Sequence, residues 1–158
     1  MPVLPLPALR AALPRGQRLI GLDPGSRLIG VALSDVLLML ASPYGTLKRG
    51  KLKANAAEVA AIAGKEGAGG LVVGLPLGMD GSFGPAAQAA KDWAMAIGEA
   101  AGLPVALWDE RLSSAAVNRA MIAADVTRAK RAAAVDAAAA AWTLQSALDA
   151  TRPAPGAA

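Results

Sequence analysis

Residues 19–35 read LIGLDPGSRLIGVALSD, and the fold turns on how this stretch is interpreted. Residues 18–23 and 28–34 are short, almost continuously apolar runs, the character of strands covered on both faces. Between them Asp-Pro-Gly-Ser has tight-turn chemistry, with Pro24 fixing φ at the second position and Gly25 accepting positive φ at the third. A hairpin is expected. Asp23 then has two readings: a turn residue whose side chain bonds the backbone, or a carboxylate that the two strands exist to present.

The rest of the chain supplies the sheet's remaining parts. Residues 36–47 read as a third strand region ending near Pro43 and Gly45. Leu52, Ala56, Val59, Ala60 and Ala63 recur at helical spacing, and Gly67, Gly69 and Gly70 stop that helix. LVVGLP, residues 71–76, reads as a buried strand followed by the glycine-rich loop LGMDGSFG. Pro85 and Gly102 bracket a second helix with the usual asymmetry of helix termini. PVALWDE is a fifth strand; Ser113 or Ser114 caps a helix through about residue 124, and a last helix spans about 131–150. The order strand-strand-strand-helix-strand-helix-strand-helix-helix predicts an α/β fold, a mixed five-stranded sheet flanked by helices.

With 158 residues the chain has the size of one ordinary domain. Proline-rich residues 1–17 and residues 151–158 read as flexible tails around a domain at 18–150. The N-terminal run lacks the continuous apolar core of a signal peptide, and no apolar run reaches the roughly 20 residues of a spanning helix, so a cytoplasmic protein with no membrane partner is expected.

Cysteine and histidine are both absent. That removes disulfides, thiolate chemistry, the usual zinc sites and any Ser-His-Asp or Cys-His pair. An enzyme of this composition must draw on carboxylates, lysine or metal-bound water, which makes the acids the residues of interest. A net charge of +4 is compatible with a polyanionic partner, whereas 3% aromatic residues argue against a base-stacking platform.

Four segments, DPGSRLIGVALSD, VVGLPLGMDGS, WDERLSS and KRAAAVDAAAAAWTLQSALD, together resemble the signature blocks of the YqgF/RuvX family, described as Holliday-junction resolvases and pre-16S rRNA nucleases with an RNase H-like fold. The resemblance spans residues 18–149. It implies a metal-dependent nuclease acting on structured nucleic acid, either an rRNA precursor or branched DNA, with Mg²⁺ or Mn²⁺ as cofactor and a homodimer as an allowed assembly. The implied catalytic and metal ligands are Asp23, Glu110 and Asp136. Arg111, Ser114, Arg128, Lys130 and Arg131 are the implied contacts to nucleic acid.

Physical chemistry can weigh these assignments. Hard divalent cations take oxygen ligands, so carboxylates suit them. In the family's sheet order the fifth strand lies two positions from the first, about 10 Å at ~4.8 Å per strand, so its acid must reach inward. Asp109 and Glu110 point to opposite sides if the strand persists; the family pattern favours Glu110. Asp136 sits among small apolar residues of a packed helix, where a carboxylate needs compensation from a metal, from Arg131 or Lys130, or from solvent. Asp80 reads as a turn residue, and Gly74 with the loop after it as either a plain connection or a phosphate cradle. Lys48, Arg49, Lys51 and Lys53 form a second basic group, able to hold a phosphate backbone against the acids' repulsion.

The family pattern is not matched throughout. Gly78 stands where the family often has asparagine, Ser114 replaces a common threonine, and Ala132, Ala133 and Ala134 thin the basic run before Asp136. None of these removes an implied ligand; they bear on the grip on substrate. Two rival readings are a sugar-kinase or actin-type nucleotide-binding domain, which shares the Asp-x-Gly-Ser hairpin but needs two such domains, and a binding module that keeps the fold without the chemistry.

Overall fold

The structure, a computed structural model, describes residues 3–78, 80–110 and 128–153. Five strands, β1 (Arg18–Pro24), β2 (Leu28–Ser34), β3 (Ala41–Lys48), β4 (Ala68–Leu75) and β5 (Val105–Asp109), form one mixed sheet in the order β3-β2-β1-β4-β5. The β1–β2 and β2–β3 pairs are antiparallel, whereas β4 runs parallel to β1 and β5 parallel to β4. Four helices lie among the described residues: α1 (Leu6–Ala12), α2 (Leu52–Glu66), α3 (Pro85–Ala101) and α4 (Arg128–Ala150). The fifth strand stands two positions from the first, as the family resemblance implied.

Period-2 alternation along the strands sends side chains into two cores. Ile20, Leu22, Val31, Leu71 and Val73 pack with Val59 of α2 and Ile97 of α3 on one face. Leu19, Ala32, Val72 and Ala106 pack with Leu9 of α1 and Leu144 and Leu148 of α4 on the other. The helix stops follow the glycines: Gly67 and Gly102 take left-handed φ of 70° and 72° just past α2 and α3.

Glycines also fix how closely α4 approaches the sheet. A Cβ on Gly21 would stand 2.9 Å from Leu144 Cβ and 3.2 Å from the Ala140 carbonyl; one on Gly30 would run into the Asp136 carbonyl. Gly74 meets the Thr143 methyl at 3.4 Å in the same sense. An alanine-rich helix on a glycine-paved strip thus brings backbone against backbone.

Three expectations need correction. Within the expected tail of residues 1–17, the described part from residue 3 is ordered structure: residues 6–12 form α1, with Leu6 and Leu9 buried in the α4-side core, and the Leu4 N–H donates to Val105 O at 2.8 Å. Pro5 and Pro7 do not oppose this helix, because they fall at its N-cap and first turn, where a missing N–H costs nothing. The third strand begins at Ala41 and not at Val36. The Asp35 carboxylate accepts the N–H groups of Met39 at 2.7 Å and Leu40 at 3.0 Å, closing residues 35–40 into a loop.

The hairpin turn also falls later than its sequence predicts. Pro24 still pairs with Ile29 in the ladder, and Gly25 donates its N–H to Leu28 O at 2.8 Å. Gly25 is not among the glycines with positive φ; it is needed because a Cβ there would lie 2.7 Å from the Leu28 carbonyl. At the other end of the chain, Thr151 accepts a hydrogen bond from Arg10 and donates one to Ala147 O, so the chain stays attached past the end of α4.

Candidate active site

Asp23 is a strand residue and not a turn residue. It pairs with Gly30 in the ladder and is 8% exposed. Alternation decides its direction: Leu19 and Gly21 face α4, so Asp23 does too. Two residues of strand rise about 6.6 Å and four residues of helix about 6 Å. The step from Gly21 to Asp23 along β1 therefore matches the step from Ala140 back to Asp136 along α4, and the two acids come level. Contact confirms it: the Asp136 backbone rests on Gly30, the cross-strand partner of Asp23, and Asp136 Oδ1 lies 3.8 Å from where a Gly25 Cβ would be.

Alternation also separates the two acids at the end of β5. Ala106 and Trp108 face α4, and the Trp108 indole N–H donates to Ser146 Oγ at 3.2 Å. Glu110 follows directly after the last residue of β5. Glu110 lines a cavity with Asp23 and Asp136; Asp109, paired with Leu75, does not.

That cavity, about 380 Å³, opens at the carboxyl ends of β1, β4 and β5, where open α/β sheets bind ligands. Asp23, Glu110 and Asp136 line it together with Pro24, Gly25 and Ser26 of the hairpin, Gly74 and Pro76 after β4, and Ala86, Ala89, Ala90 and Trp93 of α3. The α3 positions have helical i, i+3, i+4, i+7 spacing, so one face of small residues leaves the space and a tryptophan bounds it. Asp80 behaves as a turn residue: its carboxylate accepts the Ser82 N–H at 2.9 Å.

The side chains of the cavity able to ligate a metal are all oxygen donors, which suits Mg²⁺ or Mn²⁺. Among the described residues no three acidic side chains converge tightly enough to cage an ion. Mg²⁺ does not require such a cage. It keeps several waters and is held by one or two carboxylates together with substrate phosphates, so acids spaced around a cavity with room for water fit that mode.

Of the implied nucleic-acid contacts, Arg111 and Ser114 lie outside the described residues, as does the expected helix through residue 124. Arg128, Lys130 and Arg131 fall on the first turns of α4, with side chains outside the described part. The described cation of the cavity is Arg49, between β3 and α2. The sequence placed it in a basic group without singling it out, and Trp93 gave no signal beyond its helical spacing from Ala86 and Ala89.

The family model RuvX, described as Holliday junction resolvase, matches residues 17–150. A curated relative from Acidiphilium cryptum is 66% identical over 149 residues, covering 94% of both chains. One from Gluconacetobacter diazotrophicus is 63% identical over 152 residues, covering 96% of this chain and 99% of the relative. Both are provisionally named pre-16S rRNA nuclease. Among solved structures, T. thermophilus RuvC in complex with Holliday junction substrate aligns with a TM-score of 0.52 at 19% identity, covering 85% of this chain and 94% of that one. At that identity the likeness speaks for the fold alone, the RNase H-like sheet expected from the sequence.

Proposed function

This chain belongs to the RuvX family and is a nuclease, a hydrolase acting on nucleic acid, and from that premise we propose a divalent-metal-dependent enzyme that hydrolyses phosphodiester bonds in structured nucleic acid, with the 5′ end of pre-16S rRNA as its substrate. The observation that supports the reading is the common cavity: acids from β1, the end of β5 and α4, 113 positions apart at the extremes (Asp23 to Asp136), border one space at the strands' carboxyl ends.

Asp23, Glu110 and Asp136 are the residues that would hold Mg²⁺ or Mn²⁺. When bound, the ion supplies charge neutralisation at the phosphate and an acidified water, chemistry that a chain without histidine otherwise lacks. The protein's own part is positional. The buried ladder fixes Asp23, the Gly30 contact fixes Asp136 against it, and β5 delivers Glu110 from across β4. The small side chains of Ala86, Ala89 and Ala90 leave room for a sugar-phosphate strand.

Junction resolution is the second reading, favoured by the description of the matching family. A two-fold homodimer belongs with it, because a junction presents paired strands. No described helix is long and apolar enough to cross a membrane, and the rRNA reading locates the protein in the cytoplasm.

The test is cleavage of an rRNA precursor and of a four-way DNA junction, with and without Mn²⁺, by the native chain and by Asp23→Asn. Metal-dependent cutting lost in the variant is expected. Equal cutting by both proteins would refute the assignment of Asp23. A parallel melt should show Mn²⁺ stabilising the native chain by about 2.7 kcal/mol at 100 times its Kd and leaving Asp136→Asn nearly unmoved.

A further inference from the structure

We infer that Arg49 is a substrate-binding residue, a preset clamp for a backbone phosphate of the nucleic acid, supplied to the acidic cavity from the junction of β3 and α2. The inference rests on the nuclease reading and adds to it the group that receives the polyanion. Three carboxylates in a cavity repel a phosphodiester, and the ion they hold offsets only part of that charge. A cation in the cavity's lining is what such a site otherwise needs.

Arg49 is held there by its surroundings at both ends. Its backbone N–H donates to Arg27 O at 2.8 Å. The buried Asn55 side chain grips the peptides on either side, accepting the Gly50 N–H at 2.9 Å and donating to Lys48 O at 3.0 Å. At the tip, Nη1 donates to Gly25 O at 2.8 Å, two residues from Asp23, and the guanidinium carbon lies 5.7 Å from the Trp93 ring centroid. Those are carbonyl and ring contacts, not ion pairs: among the described residues no carboxylate stands within ion-pair distance of Arg49, although it shares a cavity with three. A guanidinium has five N–H donors, so the contact to Gly25 leaves donors for a ligand oxygen, and the cation–π contact with Trp93 restrains the group beside the cavity.

An arginine that serves only to pin the hairpin would leave nucleic-acid affinity unchanged once the fold is intact, and this difference is measurable. In an Asp23→Asn background, which blocks cutting, binding of a labelled rRNA precursor and of a labelled four-way junction is titrated against NaCl for Arg49, Arg49→Lys and Arg49→Ala, with melting curves for each. Loss of one phosphate contact lowers the magnitude of the log K against log salt slope by about one and weakens binding roughly uniformly across sequences. Arg49→Ala is expected to show both, with a loss of about tenfold, and Arg49→Lys to restore the slope while recovering only part of the affinity.

An unchanged slope and affinity in a folded Arg49→Ala would overturn the inference. If Arg49→Ala does not fold, Arg49→Lys and Trp93→Phe decide: native affinity in both sinks the clamp, reduced affinity in Arg49→Lys upholds it. RNA and DNA arms that respond alike point to the shared phosphodiester backbone; a response to neither probe refutes the clamp. The nuclease reading fails separately, by absence of Mn²⁺-dependent cutting in the native chain.

Discussion

Gly30→Ala is the substitution that most directly tests how the site is assembled. The added methyl would run into the backbone carbonyl of Asp136 and stand 3.2 Å from the Ala137 nitrogen, so no side-chain rotation can relieve it. Carbon contacts settle near 3.5–4.0 Å, which asks α4 to move away from β2 by on the order of 1 Å. Overpacking of a tight interface costs about 1–3 kcal/mol, and a backbone obstacle argues for the upper end. For a domain of this size about 3 kcal/mol lowers Tm by about 6–12 °C. The displaced residue is Asp136 itself, and a misplacement of about 1 Å at a reacting centre costs on the order of 100-fold in rate.

Calorimetric melting and the Mn²⁺-dependent cleavage assay read the two effects. Gly45→Ala, on β3, is the internal comparison, because nothing lies within 4 Å of a Cβ there. It should melt at or slightly above the native temperature, since alanine reduces the freedom of the unfolded chain. A Gly30→Ala protein that melts with Gly45→Ala and cuts at the native rate would refute the claim that Gly30 sets the height of Asp136 over the sheet.

Two other expectations follow from the corrected elements. Leu9→Ala should cost about 2–5 kcal/mol in denaturant unfolding, the range for a buried leucine, because Leu9 is 0% exposed in the α4-side core; a cost near zero would return residues 6–12 to the status of a tail. Burial pushes the Asp35 carboxyl up, but the N–H groups of Leu40 and Met39 outweigh it and hold it below the usual value. A depressed acid stabilises the fold above its unfolded pKa, about 3.9, and that contribution is lost as pH falls through the folded value. Asp35→Asn keeps an acceptor but does not titrate, so between pH 7 and pH 3 the native chain should lose more Tm than the variant; a parallel decline would show that the loop does not depend on the charge.

Much of this architecture is legible in the residues, for local reasons. The β1–β2 hairpin shows because both strands are apolar on both faces, and the ends of α2 and α3 show because Gly67 and Gly102 occupy left-handed positions few other residues take. Helix α1 was concealed by its own prolines, which break helices everywhere except where these two sit. Val36, Leu37, Met39 and Leu40 imitate a strand; what makes them a loop is a single carboxylate taking two backbone donors, an effect no hydropathy pattern records. The three acids, Glu110 in preference to Asp109 included, could be nominated by resemblance, but that they border one cavity is seen only in the fold. Arg49 and Asn55 carry the least local signal, since their importance lies in contacts with Gly25, Lys48, Gly50 and Trp93.

The cavity's walls come from opposite layers of the sandwich: Asp136 rides on the helix above the sheet, while Trp93, the rest for Arg49, rides on a helix below it. The spacing between the anionic and cationic seats is consequently a gauge set by two independent packings. A lineage could retune that gauge for a wider or narrower substrate by altering alanines under α3 alone, leaving the glycine strip beneath α4 and the acids it aligns untouched.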